Sequence, residues 1–249
     1  MKGTMLLVAV LGSSSLWLSN ASAQETNTAK DTSWHWLLSP YFLAPHMNGT
    51  ETIRGVTADV DVSPDEIFEH LKFGAMLYTE THNDQWAIGL DAMYMNLGED
   101  GTTFFGDVEA RMKQTGIMLE GFRRISPFAE PMIGVTYNNL KGSLKGSGPL
   151  GVDVEESKTW VDPYVGVRFS TPGSGHWNAS ILAMIGGFGV GSDVAWQVYP
   201  KVVYRFSPKF GMGLAYRALA MDYTTGTGNQ EFRYDLTTFG PQLGLEFRF

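Results

Sequence analysis

A chain of 249 residues with 43% hydrophobic and 18% charged residues is neither a disordered tail nor apolar throughout. Its formal charge of −8 lacks the basic footprint of a nucleic-acid binder, and with no cysteine it has no disulfide, thiolate metal site or lipidated cysteine. Aromatic residues at 13% and 29 glycines suit strands and tight turns.

The first segment reads as a secretory signal. Lys2 is the charged start, residues 5–11 form the apolar stretch, Leu16 and Leu18 extend it, and Ala21-Ser22-Ala23 is a small-residue cleavage site. Gly12, Ser13, Ser14 and Ser15 interrupt a span already too short for a membrane helix. Residues 1–23 are therefore expected to be a cleaved signal peptide and 24–249 one folded domain. No later run approaches the ~20 apolar residues of a membrane helix.

Ten long segments then alternate with period 2: 34–45, 72–81, 85–96, 109–124, 127–138, 158–170, 176–188, 194–206, 210–222 and 233–249. In the first, Trp34, Trp36, Leu38, Pro40 and Phe42 share a face opposite His35, Ser39 and Tyr41. At 158–170, Val161, Pro163, Val165, Val167 and Phe169 oppose Asp162, Tyr164, Gly166 and Arg168. At 194–206, Trp196, Val198, Val202, Tyr204 and Phe206 oppose Gln197, Lys201 and Arg205. The last segment sets Phe239, Pro241, Leu243, Leu245, Phe247 and Phe249 against Gly240, Gln242, Gly244, Glu246 and Arg248. Such lengths suit tilted membrane crossings of about 9–11 residues with extensions.

The connections alternate in length. Those at 82–84, 125–126, 171–175 and 207–209 are short; 46–71, 97–108, 139–157 and 223–232 are long, and 189–193 is a short exception. Short turns on one side and long loops on the other predict an all-β, closed antiparallel transmembrane β-barrel of about ten strands, with eight and twelve as the even alternatives. The short turns and both chain ends are expected on the periplasmic side of a bacterial outer membrane, and the barrel is expected to be monomeric.

Within 46–71, residues 51–62 predict a small hairpin, and Ser63-Pro64-Asp65-Glu66 is a capping box with proline at the first helical position. A short amphipathic helix is expected over 64–71, with Ile67, Phe68 and Leu71 on one side. Trp34, Trp36, Trp86, Trp160, Trp177, Trp196, Tyr204, Tyr216 and Tyr223 lie near segment ends and are expected in aromatic girdles.

If the apolar face meets lipid, the lumen receives Glu80, Asp91, Glu120, Glu130, Asp162 and Glu246, and Arg168, Lys201, Arg205, Arg217 and Arg248. Acids dominate before residue 163 and bases after it. Closure would set them across from each other, and buried charges need partners. A mostly plugged, charged lumen is expected.

Three features resemble the small outer-membrane β-barrels of the OmpA and OmpX type: the secretion signal, the strand ends Tyr164-Val165-Gly166-Val167-Arg168-Phe169 and Tyr204-Arg205-Phe206-Ser207, and the closing run from Gly240 to Phe249. The likeness is a pattern along the mature chain, from which 49–73 departs. It implies that the aromatic closing strand, Phe247 and Phe249, is read by the outer-membrane assembly machinery.

Catalytic motifs are weak. There is no G-x-S-x-G, H-E-x-x-H or P-loop pattern. The run from Asp59 to Asp65 resembles the start of a calcium loop but has Pro64 and His70 where glycine and glutamate belong. Gly-rich 186–191 precedes no helix and reads as a turn. His35 with Ser39, and His82 with Asp84, are the candidate hydrolytic pairs. The leading expectation is a non-enzymatic barrel without cofactor or metal, structural or surface-binding, with an unidentified external ligand; a narrow solute channel stands second and a hydrolase third.

Overall fold

The computed structural model describes residues 33–103, 106–146, 153–172 and 175–249. The expected signal peptide, 1–23, lies outside them. The described elements are β1 His35–Leu43, β2 His46–Ile53, β3 Val56–Val62, α1 Pro64–His70, β4 Leu71–His82, β5 Trp86–Thr103, β6 Gly106–Arg123, β7 Ala129–Gly146, β8 Asp153–Ser170, β9 Trp177–Gly187, β10 Val194–Ser207, β11 Phe210–Thr225 and β12 Phe232–Arg248.

Ten of these strands, β1 and β4 to β12, pair antiparallel with their neighbours, and β1 closes the ring by pairing with β12. Where these pairs run, the ring leaves no sheet edge of the kind a hydrocarbon environment cannot satisfy. Outward side chains are apolar: Leu38, Ile88, Leu119, Ile133, Val165 and Leu214 are 38–70% exposed. The alternating charged and small positions point into the bore, so the exterior is a lipid-facing band and the chain a transmembrane β-barrel.

β2 continues β1 along the same neighbour. β1 pairs with 242–248 of β12 and β2 with 232–239. The two are separated at Ala44-Pro45, where Ala44 N–H donates to the Pro241 carbonyl at 3.0 Å. A Cβ at Gly240 would collide with the Ala44 carbonyl, so the backbones approach closely there. The hairpin expected over 51–62 is longer, starting at His46. It turns at Arg54-Gly55, both with positive φ (53° and 78°), as a right-twisted two-residue hairpin demands.

Because the chain passes from β1 into β2, which pairs with β12 on one edge and β3 on the other, β1 and β4 stay together only over the half nearer the short turns. Their pairing runs from His35↔His82 to Pro40↔Leu77 and stops. Beyond it, α1 lies between β3 and β4. Ser63 and Glu66 form the expected capping box, Ile67 is buried, and the Phe68 ring stacks on Phe42 at 5.1 Å.

Two sequence expectations are corrected. Segments 97–108, 139–157 and 223–232 are not mainly loops: β5 to β8, β11 and β12 run on into them. Outside lipid both faces are wet, so the apolar alternation fades while the ladder continues. Polar cross-strand pairs accompany it, as in Arg111–Asp100 at 2.9 Å, Lys141–Glu155 at 2.7 Å and Arg233–Asp222 at 3.1 Å. Trp160 and Tyr223 are not girdle residues. They stack on each other at 4.4 Å, and Trp160 is buried with its indole N–H donating to Asp162 at 3.1 Å. Trp160 shares parity with Asp162 and Tyr164, which puts it inside.

The interior has two zones. Charged residues fill the part nearer the short turns. The farther part is an apolar cluster that includes Met47, Ile67, Met95, Trp160, Met184, Met221 and Tyr234.

Candidate functional site

Inward parity on seven strands, β4, β5, β7, β8 and β10 to β12, assembles the charged zone. Arg168, near the end of β8, lies over the Phe122 ring at 3.9 Å. Its Nη1 donates to Glu80 at 2.5 Å and its Nε to Glu130 at 2.6 Å. Glu130 also accepts from Arg124 at 3.0 Å, and Glu80 from the Tyr78 hydroxyl at 2.7 Å. Arg217 on β11 donates to Asp91 at 2.5 Å, and the Tyr41 hydroxyl donates to the same carboxylate at 2.7 Å. Glu246 accepts from Lys201 at 3.1 Å and from Arg248 at 3.0 Å.

Two of these contacts cross the bore. β4 and β8 stand four places apart in the ring order, as do β5 and β11 by the shorter way through β1 and β12. The Arg168–Glu80 and Arg217–Asp91 pairs thus tie walls that are nearly opposite on a ten-strand circle. Glu80, Glu130, Arg217 and Glu246 are all below 9% exposed, so each charge is withdrawn from bulk water and answered by a partner.

Three expected members stand apart. Arg205 makes no ion pair among the described residues. Glu120 is 4% exposed and likewise has no ion-pair partner among them. Asp162 belongs to a different construction. Fully buried, it accepts from the Ser192 backbone N–H at 2.6 Å, the Ser192 hydroxyl at 2.8 Å, Trp160, and Asn138 at 3.3 Å. It thereby anchors the Gly-rich turn between β9 and β10, in which Gly187, Phe188 and Gly189 all have positive φ.

Sequence parity missed Arg124, which lies just past the end of β6, and Ser192, which lies in a turn; alternation carries no information there. Tyr41 was legible as inward, but its link to Asp91 was not, because the partners are 50 residues apart.

The candidate pair His35 and Ser39 takes no catalytic geometry. His35 and Ser39 are four positions apart on one strand, about 13 Å at the usual rise. The His35 ring instead neighbours that of His82 at 5.9 Å, and His82 approaches Glu80 at 3.3 Å. Among the described residues no three His, Asp or Glu side chains are grouped to hold a metal ion. Phe247 pairs with Leu38 and Phe210, and Phe249 exchanges backbone hydrogen bonds with Trp36 at 3.2 and 2.9 Å.

No family model and no curated protein matches the sequence. Solved structures similar in shape include Ail, the attachment invasion locus protein of Yersinia pestis, bound to the heparin analogue sucrose octasulfate. It has 12% identity and TM-score 0.43, over 88% of this chain and 99% of that one. Neisserial surface protein A has 9% identity and TM-score 0.36, over 86% and 97% of the two chains. The Pseudomonas putida toluene transporter TodX has 7% identity and TM-score 0.35, over 88% and 90%. The closed ten-strand ring, its apolar exterior and its charged bore give this chain the architecture of a transmembrane β-barrel of the outer-membrane type.

Proposed function

We propose that the protein is a closed, non-conducting barrel of the bacterial outer membrane that acts through its outer surface. The observation that supports this is the pair of contacts across the bore, Arg168–Glu80 and Arg217–Asp91. Each brings two opposite walls within hydrogen-bond distance, and the apolar cluster stacks above them. Among the described residues, one such surface is the β2–β3 hairpin with α1, where exposed Asp59, Asp61, Asp65 and Glu69 favour a basic ligand. The amino-terminal signal is cleaved, the barrel is a monomer in lipid, and the assembly machinery reads its closing strand, including Phe247 and Phe249.

Planar bilayer recording of the purified full barrel tests the closed bore. The expected result is no steady conductance, and a large steady conductance would overturn the proposal. Glu120 favours a second reading, a narrow cation path, because it is buried in the bore without an ion-pair partner among the described residues. Small cation-selective events that vanish in Glu120→Gln would establish it. For the closing strand, deletion of Phe249 is expected to lower the assembled level in cells; unchanged assembly would remove that role.

A further inference from the structure

The wall between β1 and β4 is incomplete on the side away from the short turns. Extending the register past Pro40↔Leu77 would pair Tyr41 with Met76, Phe42 with Ala75 and Leu43 with Gly74, yet no such pairs form. β1 remains hydrogen-bonded to β12, and β4 to β5, so each shows one open edge toward the other. At about 3.3 Å per residue and a tilt near 40°, this gap lies about 15–28 Å above the turn at His82. The gap therefore begins in the outer-leaflet half of an apolar band about 25 Å tall and ends at its outer rim, where α1 lies. An open edge facing hydrocarbon is expensive, and something has to cover it. α1 does so with little: Ile67 is its buried residue, and Phe68 stacks on Phe42 at 5.1 Å.

Under α1 is a cavity of about 70 Å³ whose wall includes Phe42, Leu43, Ile67, Phe68, Met76 and Met95. Both sides of the barrel wall contribute. Phe42 faces outward and is 54% exposed, while Met95 faces the bore and is 5% exposed. Both faces of the wall therefore line the cavity, and exposed Phe42 sets its outer end at the lipid-facing exterior. Its only hydroxyl, on Tyr41, is engaged by Asp91. A cavity so lined offers water too few partners to hold it and accepts an apolar guest.

We propose that this gap is a binding slot for the end of one acyl chain of an outer-leaflet lipid, with α1 as its lid. The chain enters beside Phe42, slides beneath Phe68 and ends against Met76 and Met95. The surrounding lipid supplies the guest, because the slot opens directly onto the hydrocarbon band.

The test uses the full barrel in phospholipid vesicles doped with a phospholipid carrying a photoreactive diazirine at one acyl end. After irradiation, adducts are mapped by peptide mass spectrometry. The expected result is labelling of Leu43, Ile67 or Met95 in addition to exterior residues such as Leu119 and Ile133. Labelling of the exterior residues alone would overturn the proposal, since those residues show that the probe reacted. Gly74→Leu should fill the slot and remove the inward adducts while keeping the exterior ones. Inward adducts that persist undiminished in a folded Gly74→Leu barrel would also count against the slot. The wild-type map decides the matter if that variant fails to fold.

Discussion

Removing the guanidinium of Arg168 would leave Glu80 and Glu130 in the bore, both below 9% exposed, with Arg124, the Tyr78 hydroxyl and the His82 ring to answer them. Loss of one partner from a buried ion network costs about 3–5 kcal/mol. Arg168→Met should therefore lower the urea midpoint of the barrel in detergent, read by tryptophan fluorescence. Adding Glu80→Gln should recover part of the loss, because its partner across the bore would no longer be an unanswered charge. Simple additivity of the two changes would mean that the contact is energetically idle. Asp162 makes the opposite kind of contribution. It is an acceptor for four donors, and Asp162→Ala would orphan the buried Ser192 amide among others, at about 1–3 kcal/mol for each unsatisfied group. Phe188 already sits at φ 52°, so the turn it belongs to is held against its own preference. The damage should concentrate there, as faster proteolysis between β9 and β10 and little change in the ion pairs below. Uniform loosening of the barrel would show that Asp162 holds more than the turn.

At the scale of elements, α1 was legible because its signal is local. Ser63 accepts from the Glu66 N–H, Glu66 accepts from the Ser63 N–H at 2.7 Å and from its hydroxyl at 2.8 Å, and Pro64 starts the helix. These Ser63 hydrogen bonds hold the Glu66 carboxyl below its ordinary value of 4.5. A depressed carboxyl supports the fold above its unfolded value and loses that support on acidification. The tie between Ser63 and Glu66 should therefore be intact above 4.5 and weaken as pH falls below it. A spin label at exposed Glu69 should become more mobile over that range in the wild type and less pH-dependent in Glu66→Gln. Equal pH profiles would remove the cap from the account. The strands were legible for a different reason: lipid on one side forces apolar and inward residues to alternate. Where water lies on both sides the rule lapses, and so the outer lengths of β5 to β8 read as loops. Trp160 shows a conflict between two signals. Its place near a segment end suggested a girdle, while its parity with Asp162 put it inside, and parity prevailed because a strand cannot rotate one residue alone. The gap between β1 and β4 had no local signal, since it results from β2 pairing with a strand almost 200 positions away (His46 with Phe239).

For the whole molecule, the ring is no stronger than its least-paired seam. β5 and β6 share eighteen register pairs, β7 and β8 seventeen and β8 and β9 seven, whereas β1 and β4 share six; β1 shares five with β12, but β2 continues that seam with eight more. The six are also adjacent to the cavity under α1, so no continuous ladder backs them up. Opening should begin there, because parting β1 from β4 breaks the fewest hydrogen bonds and turns the closed ring into an open sheet. The chain has no cysteine, so an engineered disulfide has no competitor. Leu38→Cys with Thr79→Cys joins a registered β1–β4 pair and closes a loop of about 40 residues, worth about 4 kcal/mol in the chain-entropy model. Tyr137→Cys with Val161→Cys joins a registered pair in the well-zipped β7–β8 wall and serves as the comparison. A bond across the seam that parts first slows unfolding, while one across a seam still intact in the transition state mainly leaves that rate alone. The oxidised β1–β4 lock should therefore retard unfolding in denaturant far more than the β7–β8 lock, and reduction should abolish the difference. Equal retardation by both would mean that the ring opens somewhere other than beside α1.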